Sequence, residues 1–404
     1  MIPLDSVTTL AAAGVVLLLG QLLQRRLPLL SRHNVPAPVV GGLLVALAIT
    51  ALRALGREPV RFDTTLQAPL MIAFFTAIGF AASVPLLRAG GPALALCLGL
   101  ATGLAVLQNL VGGGVARLLG VTPLLGVIAG ALTLAGGPAT ALAFAPLFER
   151  AGVSGAATLA IAAAMTGIVA AGVVGGPLGT WLVERRARTA PEASAATGRA
   201  AAQPAAMPGG GANRSGLLPS SALLKAVVVL VSAMALGSVV GAGVAATGLT
   251  LPAYVGAMLV AAALRNVDDA TGWLDLPHAQ LAELGQVTLT LFLSMALMTL
   301  RLWELAGLAL PLAVILAVQV LLTTAVCLWP TFRLFGGDYE AAVTTSGFCG
   351  FMLGTTANAM ANMDALVDRY GPAPRAYLVV PMVGGFFIDF TNALVITVFL
   401  NLWR

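Results

Sequence analysis

The feature that most constrains this chain is a series of apolar stretches, nearly free of charge, long enough to cross about 30 Å of hydrocarbon. They run near 7–24, 35–52, 66–87, 92–116, 156–183, 218–243, 250–264, 285–300, 306–332 and 376–403. Inside a bilayer each backbone N–H and C=O needs a partner within its own segment, so these stretches are expected to be helices. Composition agrees: 59% of residues are hydrophobic and only 9% charged, against roughly 25% charged in soluble domains. The expected fold is an all-α membrane protein of ten transmembrane helices, with the lipid bilayer as its solvent.

Two further apolar segments are interrupted. Gly136, Gly137 and Pro138 break 124–148, and Gly350 and Gly354 break 341–363; both read as broken helices or re-entrant loops. Residues 184–216 are rich in Ala, Pro, Gly, Ser and Arg and lack apolar periodicity, so they read as a flexible cytoplasmic linker. The flanking halves, 1–183 and 217–404, resemble each other. Pro36 and Ala37 match Pro252 and Ala253, Gln67 matches Gln286, and Gly136 matches Gly354, in common order at an offset of 216 to 219 residues.

Charge predicts the topology. Arg25, Arg26 and Arg32 follow the first helix and Arg185, Arg186, Arg188, Arg199 and Arg214 occupy the linker, so both groups are placed in the cytoplasm. An even number of crossings then separates them, which requires 124–148 to enter and leave on one side. Five crossings per half make the repeat inverted. Both termini then lie outside, in the periplasm if the membrane is a bacterial inner membrane. The first apolar stretch follows Asp5 with no basic cluster before it, and is expected to be a retained helix.

Several function classes find no support. Cys97, Cys327 and Cys349 are an odd set inside apolar segments and read as buried small residues rather than a disulfide or metal set. Lys225 is the only lysine, His33 and His278 fall in expected loops, and the basic residues form no stripe. ATP hydrolysis through a Walker A motif, metal or serine hydrolysis and nucleic-acid binding therefore have no residues to carry them. The chain is not expected to be an enzyme or to hold a cofactor.

Inverted repeats with interrupted helices point to a transporter site, where half-helix N-termini face anions and freed carbonyls face cations. At the first break the candidate substrate-binding residues are Gly136, Gly137, Ala139 and Thr140. At the second, in TTSGFCGFMLGTTANAMANM, they are Gly354, Thr355, Thr356 and Asn358. The hydroxyl and amide oxygens of Thr345, Ser346, Asn362 and Asn392 are candidate sodium ligands, with interhelical hydrogen bonding as the competing structural role. Asp389 lies deep in the last apolar run and shares a helical face with Asn392. An aspartate there costs roughly 2.5 to 3.5 kcal/mol to insert, so it is a candidate for ion coordination or proton relay, or for pairing with an arginine such as Arg301.

The stretches NVPAPVVGGLL, AGGPATALAFAPLFERAG and LGTTANAMANMDALVDRYGPAPRAYLVVPMVGGFFIDFTNALVI resemble the sodium:glutamate symporter family, as does the order of the ten helices. The resemblance implies an inverted five-plus-five fold, two re-entrant loops meeting at a central site, sodium-driven uptake of glutamate or a related small organic anion, and a homodimer with elevator-like motion. Sodium is then the coupling ion. Where the family usually reads GGHGTA, this chain has Gly136, Gly137, Pro138, Ala139, Thr140 and Ala141, and Asn358 stands where the family has threonine. A proton-coupled or cation-exchanging antiporter, with Asp389 as the titrating group, is the alternative.

Overall fold

The computed structural model describes residues 2–27, 35–56, 60–185, 219–245, 252–305 and 307–403. Most of the expected linker, with Arg186, Arg188, Arg199 and Arg214, lies outside the described residues, as do His33, Arg32 and Arg57. Apart from a parallel pair of two-residue strands, β1 (Ile2–Pro3) and β2 (Val60–Arg61), the regular structure is helical.

In chain order the helices are α1 (Ser6–Arg26), α2 (Ala37–Ala54), α3 (Gln67–Ala81), α4 (Val84–Ala89), α5 (Gly91–Leu118), α6 (Pro123–Val127), α7 (Gly137–Arg150) and α8 (Ala156–Arg185). After the linker come α9 (Pro219–Ala245), α10 (Ala253–Thr271), α11 (His278–Met298), α12 (Ala309–Val326), α13 (Phe332–Leu334), α14 (Tyr339–Leu353), α15 (Thr356–Tyr370), α16 (Pro374–Met382) and α17 (Ile388–Leu402). Wider π-helical turns interrupt the run at Ile128–Leu132, Cys327–Thr331 and Val383–Phe387.

Among the described residues seven helices are long and apolar enough to span a membrane, or eight if the bent pair Pro374–Gly385 and Ile388–Leu402 is one span. The two other expected spans form helices that fall short for visible reasons. Only 15 residues of 66–87 make α3, because the chain leaves the helix at Ala82 and Ser83. The other, α10, is 19 residues long, but its last two turns carry Arg265, Asp268 and Asp269.

The chain divides into two units, each drawing on both halves of the sequence: Met1–Val84 with Gly209–Gly307, and Pro85–Pro208 with Leu308–Arg404. The first holds α1–α3 and α9–α11. Small residues set its crossings, since apolar side chains gain little by leaving lipid for one another and close backbone approach must supply the attraction. A Cβ on Gly20 of α1 would lie 2.0 Å from the Ala37 carbonyl oxygen, and one on Gly237 of α9 only 2.1 Å from Cα of Ala257 in α10. Gly42 of α2 faces Leu297 of α11 as Gly79 of α3 faces Met258 of α10. These contacts fall at corresponding places in the two halves.

Helix ends meet in pairs within each unit. In the first, Leu4 N–H bonds the Arg61 carbonyl and the Arg53 guanidinium lies over the Trp303 ring, while at the other set of ends Ser83 and Val84 bond Asp269 and Asn266. In the second, Arg117 lies over Trp403, Glu184 bonds Arg369 and Tyr370, and Tyr339 hydroxyl donates to the Gly371 carbonyl. Every one of these pairs joins residues that the charge-derived topology puts on the same face.

Candidate functional site

The two broken segments lie in the second unit. Thr122 and Pro123 start α6, and the helix loosens at the π-turn, where Gly130 leaves helical geometry (φ −106°, ψ −133°). The two successive peptides joined at Ala131 are both held: the Ala131 N–H donates to Asn109 Oδ1 (3.1 Å) on α5, and the Ala131 carbonyl accepts from Asn392 Nδ2 (2.8 Å) on α17 and from Gly136 N–H (3.1 Å). Thr133 hydroxyl closes the turn on the Ile128 carbonyl (2.7 Å).

The chain restarts as α7 at Gly137, whose φ of +65° suits glycine and few other residues. No side chain caps this helix, and Pro138 offers no N–H. The N–H groups of Gly137 and Ala139 therefore have no acceptor within α7. Gly136 and Ala139 are half-buried, whereas Thr140 is buried.

The second segment is a hairpin of α14 and α15 turned at Gly354 and Thr355. Asp338 caps α14 by accepting from Ala341 N–H (2.7 Å), and Thr355 caps α15 while donating its hydroxyl proton to Asn358 Oδ1 (2.8 Å). That reciprocal pairing resembles a capping box with an amide in the third position. Thr356 hydroxyl reaches the Gly384 carbonyl (2.6 Å).

The hairpin packs along α8, where side chains bond backbone oxygens directly. Asn358 Nδ2 donates to the Ile168 carbonyl (3.1 Å), Asn362 Nδ2 to Ala171 (3.1 Å) and Ser346 hydroxyl to Gly175 (2.8 Å). Glycine makes this approach feasible: a Cβ on Gly175 would lie 2.0 Å from Asn362 Nδ2, and one on Gly179 would lie 2.8 Å from Ser346. For Ser346, Asn358 and Asn362 the donor groups are thus spent on interhelical bonds, the structural role weighed against ligation above.

The tips of the two segments meet. A Cβ on Gly137 would sit 3.7 Å from the Gly354 carbonyl oxygen and 4.0 Å from the Thr355 methyl. Two helix N-termini, of α7 and α15, therefore converge, and their partial positive charges add. Helices of the same unit carry unsatisfied oxygens. Thr345 Oγ1 and Asn392 Oδ1 are buried with no hydrogen-bond partner among the described residues. Asp389, half-buried in the first turn of α17, has neither a hydrogen bond nor an ion pair among them. Asp389 belongs to the second unit and Arg301 to the first. The arrangement offers N–H donors to an anion and uncharged or carboxylate oxygens to a hard cation, with no cluster of three His, Cys, Asp or Glu among the described residues.

Sequence reasoning left out residues that the structure brings in. Gln108 and Asn109, adjacent amides of α5, are fully buried and bond the broken segments: Gln108 Nε2 donates to Thr323 Oγ1 (3.1 Å) and the Met352 carbonyl (3.2 Å). Gln319 Nε2 donates back to the Gln108 carbonyl (2.6 Å). The available signal was two adjacent amides in the middle of a 28-residue apolar helix. Gln67 and Gln286, which were matched, behave differently: Gln67 bonds Thr299 (3.4 Å) and Gln286 is exposed. His278 opens α11 rather than lying in a loop, and its ring faces Arg265 (2.8 Å). The three cysteines are buried and free.

The family model described as Sodium/glutamate symporter matches residues 2–372. Over 403 residues the chain is 41% identical to the Sodium/glutamate symporter of Escherichia coli (strain K12), covering 100% of this chain and 99% of that relative. The same identity and coverage hold for the Sodium/glutamate symporter of Shigella flexneri. The Sodium/glutamate symporter of Haemophilus influenzae (strain ATCC 51907 / DSM 11121 / KW20 / Rd) is 36% identical over 394 residues, covering 96% of each chain. All three relatives are transporters rather than enzymes.

Proposed function

This chain belongs to the sodium/glutamate symporter family, and on that premise we propose that it carries out sodium-coupled uptake of glutamate or a related small organic anion across the bacterial inner membrane. The convergence of the two broken-helix tips, where Gly137 comes within contact of Gly354 and Thr355, is the observation that carries this reading. The N–H groups of Gly137 and Ala139, with the N-terminus of α15, take the substrate carboxylates. Thr356 and Asn358, at the tip where the family's threonine is replaced, set selectivity.

The coupling ion sits on oxygens of Thr345, Asp389 and Asn392, with Ser346 and Asn362 holding the hairpin against α8 and supplying further oxygen. Each sodium ion entering across 100 mV contributes about 2.3 kcal/mol, equivalent to roughly fifty-fold accumulation. Thr345 and Asn392 support this assignment because an oxygen buried without a partner costs about 1 to 3 kcal/mol unless something binds it. The fold is two inverted five-helix repeats, with 124–148 and 341–363 as re-entrant loops and both termini periplasmic; the matched glycine crossings and paired helix ends support that arrangement.

Purified protein in proteoliposomes, given a panel of amino and dicarboxylic acids, tests the function. Uptake that needs an inward sodium gradient and proceeds with no pH gradient is the expected result. Accumulation driven by a proton gradient without sodium would instead establish the antiport reading.

A further inference from the structure

We propose that Asn109 is a positioning residue of the sodium site, acting through the Ala131 peptide on the side chain of Asn392. The inference rests on the sodium assignment above and extends it to a helix, α5, that carries none of the proposed ligands.

Ala131 sits in the π-turn of the first broken segment, directly after Gly130 leaves helical geometry, and side chains add to the one backbone bond, from Gly136 N–H (3.1 Å), that reaches its carbonyl from outside the turn. Asn109 Oδ1 holds its N–H (3.1 Å) and Asn392 Nδ2 holds its carbonyl (2.8 Å). A carboxamide is planar. With Asn392 Nδ2 held on the Ala131 carbonyl, Oδ1 is kept on the other arm of the planar group, and that oxygen is buried with no hydrogen-bond partner among the described residues. It lies three residues beyond Asp389, on the same face of α17.

The N–H and carbonyl of Ala131 belong to successive peptides joined at one Cα, so if the first were free to turn, the second would shift with it and carry the Asn392 amide along. N–H donors would then stand where a cation needs oxygen, a reversal of sign that a low-dielectric site penalises heavily. Asn109 prevents this, and Gly130 permits the approach: a Cβ there would lie 3.0 Å from Asn109 Oδ1. Asn109 is fully buried with its own Nδ2 unpartnered among the described residues, a cost that packing alone does not explain.

The test uses the full chain in detergent and reads the NaCl concentration at which thermal stabilisation is half complete, against choline chloride as the control salt. Asn109→Leu, which keeps bulk and removes the acceptor, is expected to raise that midpoint about tenfold. Asn109→Asp, which keeps an oxygen acceptor for Ala131 N–H, is expected to stay near the wild-type midpoint. In an Asn392→Ala background, Asn109→Leu is expected to add nothing further.

Equal shifts in the Leu and Asp variants, no shift in either, or additive effects with Asn392→Ala would each overturn the proposal. Should the Leu protein not be recovered, Asn109→Ala decides by the same criteria. Asp389→Asn on the same preparation separates the two levels of the argument. A wild-type sodium midpoint there removes the sodium site itself, whereas a lost response there with an unmoved Asn109→Leu removes only the role of Asn109.

Discussion

Asp389 and Asn358 are the residues whose replacement says most. Asp389→Asn preserves size and removes charge; as a sodium ligand it is expected to insert normally, lose sodium-driven accumulation and need a far higher sodium concentration for substrate binding. A structural partner of an arginine would instead leave a buried charge uncompensated and lower yield and thermal stability, so binding and melting measured on one preparation distinguish the two. Asn358→Thr restores the family's residue at the second tip and is expected to change the order of preferred substrates while sodium dependence stays. Competition of labelled glutamate by other acids reads that order. Asp389 was legible in the sequence because charge inside an apolar run is costly. Asn109 was not, because an uncharged amide in such a run has many bland uses and its partner, the Ala131 peptide, is a backbone group that no side-chain pattern announces.

Helix by helix, the breaks were more legible than the lengths. Glycine and proline at 136–138 and Gly354 located both interruptions, and the structure turns at those residues, whereas Gly350, also expected to break 341–363, lies inside α14, which runs unbroken to Leu353. Apolarity alone overstated 66–87, where α3 ends at Ala81, and understated α10, which runs on through charged residues to Thr271 because the Ser83 hydroxyl and the Ala82 carbonyl give Asp269 and Asn266 of its polar end partners. The two kinds of glycine make opposite demands. At Gly137 there is room for a methyl group but the backbone is left-handed, so Gly137→Ala is expected to cost about 1 to 2 kcal/mol. At Gly175 the backbone is helical but Asn362 occupies the space, so Gly175→Ala must push α15 from α8 and is expected to be the more damaging of the two. Detergent melting curves of both variants check the ranking.

For the whole chain, the distribution of arginines predicts both termini outside and Arg186 in the cytoplasm, and it puts each pair of helix ends named above on one face. Single cysteines at positions 57 and 200, treated with an impermeant thiol reagent on intact cells, are expected to label only at 57; equal labelling would refute the map. What no linear reading supplied is the division into two units, because the contacts that define them join residues far apart in sequence. That division has a consequence in time. Neither unit can be completed from the first half alone, since α1–α3 wait for α9–α11 and α5–α8 wait for α12–α17. At about 5 to 20 residues per second the ribosome needs on the order of ten seconds to travel from the end of α3 to the start of α9. During that interval Gly42 and Gly79 stand in lipid before Leu297 and Met258 exist to meet them, and Gln108 waits longer still for Thr323 and Met352. The nascent chain is therefore at its most vulnerable to membrane proteases midway through its synthesis, and a chain truncated at the linker is a substrate for degradation and not a half-transporter.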